Sequence, residues 1–140
     1  MGRLALKPNL EAHVLAHVPL VRGAVYRTLV DVTRQGGGGA EWIEKYIVVL
    51  QDPGSMDPGA ANYAFVIAST DRTGRRGPRA FEARLGPDGG FSQSTIVDGR
   101  WVYTNRRADL NEEDYQFTLS AERMDDISVA VYVGLHSSPF

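Results

Sequence analysis

A chain of 140 residues is the size of one compact domain, with room for a real core and too little length for two. Hydrophobic residues at 43% and charged residues at 23% exclude a disordered or fibrous class. The absence of cysteine excludes a disulfide framework and any thiolate metal centre, and suits a reducing compartment such as the cytoplasm. Pro8, Asn9, Glu11, His13 and His17 interrupt the apolar core a signal peptide would need, and no later run reaches membrane-spanning length, so a soluble protein is expected.

The formal net charge of −2 hides an uneven distribution. Residues 71–107 carry eight arginines against four acids, and residues 108–126 carry seven acids against Arg123 alone. A positive middle on a near-neutral protein can bind phosphates locally, whereas solvated loop charge is the bland alternative.

In chain order, residues 9–18 suit a short helix stopped by Pro19, which has no backbone donor. Residues 24–33, 46–50 and 63–70 are rich in β-branched and aromatic residues and are expected to be strands. Gly36 to Gly39 forms a loop between the first two. Asp52-Pro53-Gly54, Asp57-Pro58-Gly59, Thr73-Gly74 and Gly77-Pro78 supply turns. Further strands are expected at 79–85, 93–98 and 101–104, with Asp98-Gly99 as a hairpin turn between the last two. Leu110 to Asp114 has the composition of a solvated turn, so Glu112, Glu113 and Asp114 are not assigned to acid–base chemistry. After Ser120 as a cap, Met124, Ile127, Val131 and Leu135 recur at helical spacing. Ile127, Val129, Val131 and Val133 alternate like a strand, but the acids near the start and Gly134 near the end favour helix. Many short strands with short turns predict an antiparallel sheet curled into a small barrel or sandwich, mainly β with a C-terminal helix.

Arg22-Gly23 before the first strand, Lys45-Tyr46-Ile47-Val48-Val49-Leu50-Gln51, and Val66-Ile67-Ala68-Ser69-Thr70 follow one another in a recognisable order. The order continues through Phe81 to Gly86, Gly90-Phe91, the run from Thr95 to Leu110, and Leu119 to Ile127 leading to Gly134-Leu135. Arg22 to Leu135 thereby resembles the MazF/PemK family of toxin ribonucleases. The resemblance implies a strongly curved antiparallel barrel of the Src-homology-3-like kind over residues 22–140, with residues 1–21 as an N-terminal helical extension. It also implies a homodimer, inhibition by a cognate antitoxin protein, and cleavage of single-stranded RNA without a metal or other cofactor. In such enzymes the 2′-hydroxyl attacks the adjacent phosphate and leaves a cyclic phosphate and a 5′-hydroxyl. That chemistry needs groups to move two protons and donors to hold charge on phosphorus.

The family places an arginine before a proline on the second strand and a threonine or serine at the end of the third. Here those positions are Lys45, followed by Tyr46, and Thr70, preceded by Ser69. Lysine keeps the charge and loses the planar fork of donors that arginine offers two phosphate oxygens. The resemblance therefore implies Lys45 and Thr70 as catalytic, with Ser69, Arg72, Arg75, Arg76 and Arg34 binding RNA. Arg79 belongs to the same basic loop. Tyr46 is either a stacking platform or a core aromatic. Trp42, Trp101 and Tyr103 are expected in the core or at a dimer contact rather than on bases.

His13 and His17 share a helix face, but Val14 stands where the metalloprotease signature has glutamate, so no metal site is expected. The glycine run lacks the lysine and helix of a phosphate-binding loop. Two rival readings remain. One is a degenerate RNA- or protein-binding homologue, which the lysine at position 45 favours. The other is a gyrase poison of the CcdB kind, which relies on a tryptophan near its C-terminus where this chain ends His136-Ser137-Ser138-Pro139-Phe140.

Overall fold

The computed structural model describes residues 20–31, 42–50, 62–72, 74, 77–87 and 90–136. The expected helix at residues 9–18, His13, His17, Arg34, Arg75 and Arg76 lie outside the described residues. Seven strands and one α-helix are described: β1 (Ala24–Asp31), β2 (Trp42–Val49), β3 (Asn62–Thr70), β4 (Glu82–Leu85), β5 (Thr95–Asp98), β6 (Tyr103–Arg106), β7 (Tyr115–Thr118) and α1 (Ala121–His136). Single 3-10 turns occupy Arg107–Asp109 and Glu112–Asp114, the latter without a buried residue, as its acidic composition predicts. Strand β7 was not legible, because its four residues follow an acidic run and leave two of their side chains exposed.

The sheet runs β4-β5-β3-β2-β1-β7, with β6 also on β3, and every pairing is antiparallel. Laid flat, five inter-strand spacings would separate β4 from β7 by roughly 24 Å. Yet Phe91, between β4 and β5, meets Phe117 of β7 edge to face with ring centroids 5.0 Å apart. The sheet is therefore curled, as the turn-rich sequence predicts.

Strand alternation sorts the apolar residues onto two faces. Val25, Val48, Val66, Ala68, Ala83, Leu85 and Val97 line the inside of the curl, where Phe91, Leu119 and α1 close the core. Tyr26, Ile47, Val49, Tyr63 and Phe65 face the other way into a second cluster under Leu110, with Ile67, Tyr103 and Tyr115 against it. Leu20, ahead of the first strand, is buried in this second cluster.

The C-terminal helix forms as the caps suggest. Ser120 Oγ accepts the Arg123 backbone N–H at 3.3 Å, and Glu122 sits in the first turn. Its inward stripe is Met124, Ile127, Ala130 and Gly134, while Leu135, expected inward, is exposed. The reason is a close approach at Gly99 and Gly134. A Cβ on Gly99 would collide with the Ala130 carbonyl, and one on Gly134 would stand 2.7 Å from the Arg100 nitrogen.

The Asp98-Gly99 hairpin does not exist. β5 and β6 do not pair with each other; they lie one after the other along β3. Between the pairs Ala68↔Val97 and Phe65↔Tyr103, β3 advances three residues and its partner six, so three residues are in excess. The surplus is extruded within 98–102 as a wide bulge, a device that re-aims side chains.

Two stability predictions follow from this packing. Gly99→Ala is expected to cost about 2 kcal/mol or more, because neither the helix backbone nor β5 can retreat cheaply. Gly74→Ala has open space but a φ of +71°, so its smaller cost is backbone strain alone; urea unfolding midpoints compare the two. Burial, then the Asp109 charge, pushes the Tyr63 phenol up to about 12 against a hydrogen bond from Asn105 that lowers it. Burial, then Tyr115, Tyr63 and Glu112, raises Tyr26 further. Since the unfolded chain releases these protons first, stability is unaffected by them below about pH 10 and falls from there towards pH 12, by up to about 1.4 kcal/mol per pH unit for each phenol. Urea midpoints across that window check this, and Tyr63→Phe flattens the slope.

Candidate functional site

Lys45 is carried by β2 on the same face as Ile47, opposite Thr28 of β1 in register. The neighbouring β2–β3 pair is Tyr46↔Ala68, and one further step of that register brings Lys45 beside Ser69. Both residues line an open hollow of about 230 Å³ with Ile67, Ile96, Asp98, Trp101 and Tyr103. This is below the roughly 300–1,000 Å³ of pockets that engulf a small molecule, and suits one unit of a passing polymer. Among the described residues, the Lys45 ammonium has neither an ion-pair nor a hydrogen-bond partner.

Asp98 would set a negative charge against that ammonium were it not already engaged. Arg100 grips it at both oxygens, with Nη2 2.7 Å from Oδ2 and Nε 3.0 Å from Oδ1, and the Arg100 backbone N–H donates to Oδ1 at 3.0 Å. That hydrogen bonding holds the Arg100 guanidinium above its ordinary pKa, against a smaller desolvation effect. The same guanidinium lies 4.0 Å over the Phe81 ring, a cation–π contact. The Gly99 N–H donates to the Phe81 carbonyl at 2.7 Å, and the Trp101 N–H to the Asp98 carbonyl at 3.3 Å. The bulge is thus tied to β5, to the segment before β4 and to α1. The carboxylate beside Lys45 is neutralised locally, and among the described residues no other acid pairs with the ammonium.

Thr70 stands apart from this group. It is the last residue of β3, exposed, and pairs in register with Thr95, whose hydroxyl donates to the Gln93 carbonyl at 2.9 Å. Alternation along β3 assigns Thr70 to the face of Ala68 and Ser69 to the face of Lys45. The fold therefore brings Lys45 and Ser69 into one hollow and leaves Thr70 at its strand-end neighbour position.

Of the basic segment, Arg72 is exposed just past Thr70, and Arg79 is exposed with its backbone N–H on Glu82 Oε1 at 2.8 Å. Three other arginines are committed to carboxylates: Arg84 to Asp71 at 2.9 Å, Arg100 to Asp98, and Arg106 to Asp109 at 3.1 Å. Three of the run's six described arginines are thus cancelled within the fold. A second hollow, of about 430 Å³ between β4 and α1, includes Arg84, Glu82 and Asp126, but its arginine belongs to the Asp71 pair.

Tyr46 is a core aromatic rather than a free platform, edge to face with Phe91 at 5.5 Å. Tyr103 stacks on Phe65 at 5.5 Å. Neither tryptophan is in the core, one of the two places expected for them: Trp42 is 61% and Trp101 53% exposed. Sequence reasoning missed Asp98, Arg100 and Trp101 as a unit because Asp98-Gly99 has the composition of a hairpin turn. The signal available was the chemistry of Asp-Gly-Arg-Trp itself, an acid and a base two residues apart beside an aromatic. Among the described residues, no three His, Asp or Glu side chains are grouped to hold a metal ion, and no helix is long and apolar enough to cross a membrane.

No family model and no curated protein matches the sequence. Solved structures do match. An endoribonuclease from a mycobacterial species superposes with a TM-score of 0.60 at 19% identity, covering 89% of this chain and 96% of that one. An endoribonuclease in complex with its cognate antitoxin, also from a mycobacterial species, gives 0.58 at 21% identity over 86% and 97%. The Mycobacterium tuberculosis toxin MazF-mt6 gives 0.57 at 15% identity over 79% and 94%. At such identities the likeness establishes a shared fold, extending over nearly the whole of each relative.

Proposed function

We propose that this chain is the toxin of a toxin–antitoxin pair, a sequence-selective endoribonuclease of MazF/PemK type that cuts single-stranded RNA without a metal. The observation that carries it is the coincidence of two independent features. The fold is shared with a mycobacterial endoribonuclease over 89% of the chain and with the toxin MazF-mt6 over 79%, and the second-strand position where the resemblance places a phosphate-binding cation is Lys45, which lines the hollow beside Ser69.

The chemistry asks little more than position and charge. The RNA's own 2′-hydroxyl attacks the adjacent phosphorus as its proton leaves, the P–O5′ bond breaks, and the leaving oxygen takes up a proton. A 2′,3′-cyclic phosphate and a 5′-hydroxyl result. Lys45 neutralises a non-bridging oxygen as charge builds, and the Ser69 hydroxyl donates to the same phosphate from a rigid strand. Thr70 supplies a second hydroxyl at the strand end, and Arg72, with Arg75, Arg76 and Arg34, tracks the backbone. A single ammonium is a poorer clamp than a guanidinium fork, so the hydroxyls carry more of the orientation than they would beside arginine. The reading includes a homodimer of residues 22–140, a cognate antitoxin of the kind seen with one structural relative, and a cytoplasmic location. The lysine also supports a second reading, in which the chain binds RNA or protein without cutting.

The test is cleavage of a long single-stranded RNA in EDTA, with end mapping. Wild type is expected to give discrete cuts ending in cyclic phosphate. Lys45→Ala is expected to lose about 100-fold or more in rate, the scale of one removed charge-stabilising donor. Ser69→Ala and Thr70→Ala, made separately, tell which hydroxyl touches the phosphate. Cuts untouched by Lys45→Ala would remove the site assignment, and binding without cutting would favour the second reading.

A further inference from the structure

An acid in the wall of a phosphate site opposes the ligand unless something holds it. Asp98 lines the hollow that contains Lys45 and Ser69. Ser69 pairs with Ile96, so Lys45, Ser69 and Ile96 form one row across β2, β3 and β5, and Asp98 lies two residues further along β5 on the same face. Two strand spacings and two residues put roughly 12 Å between the Lys45 and Asp98 backbones, a gap that an extended lysine and an aspartate can close. Glu82 of β4 stands directly across from Asp98 in register, which sets a second acid beside the first. Arg100 answers both. It meets the two Asp98 oxygens at 2.7 Å and 3.0 Å, the Glu82 charge also favours its charged form, and the Phe81 ring lies 4.0 Å from its guanidinium.

We propose that Arg100 is a positioning residue for the ribonuclease site: by occupying Asp98 it denies that carboxylate to Lys45 and keeps the ammonium for a phosphate of the RNA. This rests on the ribonuclease reading and deepens it. Two cations compete for one carboxylate. A guanidinium fork matches both carboxylate oxygens at once, whereas an ammonium is a single point charge, so the fork prevails while it is present. Arg100 is also only two residues from Asp98, so their pairing closes a very short stretch of chain. Without the fork, Lys45 turns to Asp98, and a phosphate has to displace the carboxylate before it can bind. The two cations thus divide the work: Lys45 meets the polymer, and Arg100 acts on it only through Asp98.

The experiment measures, for the full chain, affinity for a non-cleavable 2′-O-methyl single-stranded oligonucleotide and the rate of cutting the unmodified RNA. Arg100→Gln is expected to weaken binding and slow cutting on the order of tenfold. The ratio to wild type is expected to shrink as salt rises, because salt screens the attraction between Lys45 and Asp98. Arg100→Lys, which keeps the charge and gives up the fork, falls between the two. The double variant Asp98→Asn/Arg100→Gln is expected to recover most of the affinity and rate, since its amide still accepts the backbone N–H of residue 100 and carries no charge for Lys45 to pair with. That variant lacks the Phe81 contact just as Arg100→Gln does, so a purely structural role for Arg100 gives no recovery, and no recovery overturns the proposal. An Arg100→Gln chain that binds and cuts like wild type overturns it as well. In either case discrete cutting by wild type leaves the ribonuclease reading standing. RNA neither bound nor cut by wild type removes both readings together.

Discussion

Helix α1 rests on the bulge after β5 through two positions that have no side chain to give. Gly99 and Gly134 bring backbone against backbone, and a single methyl at either would force helix and sheet apart. Much of the arrangement hangs on that approach. It decides which face of α1 turns inward, so that Ala130 and Gly134 are buried while Leu135 is left outside. It also pins one end of the 98–102 segment, whose three surplus residues must go somewhere once β5 and β6 have both taken places on β3. With the helix on one side, the surplus is extruded on the other, where Asp98 and Trp101 join the wall around Lys45.

Electrostatics then depends on who meets whom. The sequence averages to near neutrality with an arginine-rich middle, but the fold spends Arg84, Arg100 and Arg106 on nearby carboxylates. Partly exposed pairs such as Arg106–Asp109 contribute little to stability. Their larger effect is to choose where positive potential survives. Around the hollow, the Asp98–Arg100 pair cancels itself, and the Lys45 charge is what a polyanion would meet first.

The two-residue period of a strand has a direct chemical consequence. Ser69 and Thr70 are adjacent hydroxyls, equally suited by type to donate to a phosphate, yet alternation assigns only Ser69 to the Lys45 face. The end of β3 is where the chain leaves the sheet, and there Thr70 is exposed and next to the basic loop that begins at Arg72. A strand end can thus offer one hydroxyl to each side of its edge, an arrangement suited to a flexible polymer crossing that edge.

The curled sheet, its C-terminal helix and most strand positions were legible in the sequence, because β-branched runs, turn residues and a capped 3.6-residue period are local properties that each segment carries alone. Lys45 and the Ser69-Thr70 pair were singled out by the family resemblance, which rests on the order of the segments rather than on any one residue's local chemistry. The site around them was not. Which hydroxyl shares a face with Lys45 depends on register between β2 and β3. The Asp98-Gly99 step passed for a hairpin because a turn dipeptide does not say whether the strands on either side pair with each other or share a third. Trp101 was expected in the core or at a dimer contact, because residue type reports hydrophobicity but not the loop that holds the side chain half out. The sequence by itself determined most of the elements and named the candidate groups. The tertiary structure alone decided their company, because pairing partners, close backbone approaches and charge cancellation exist only between segments distant along the chain.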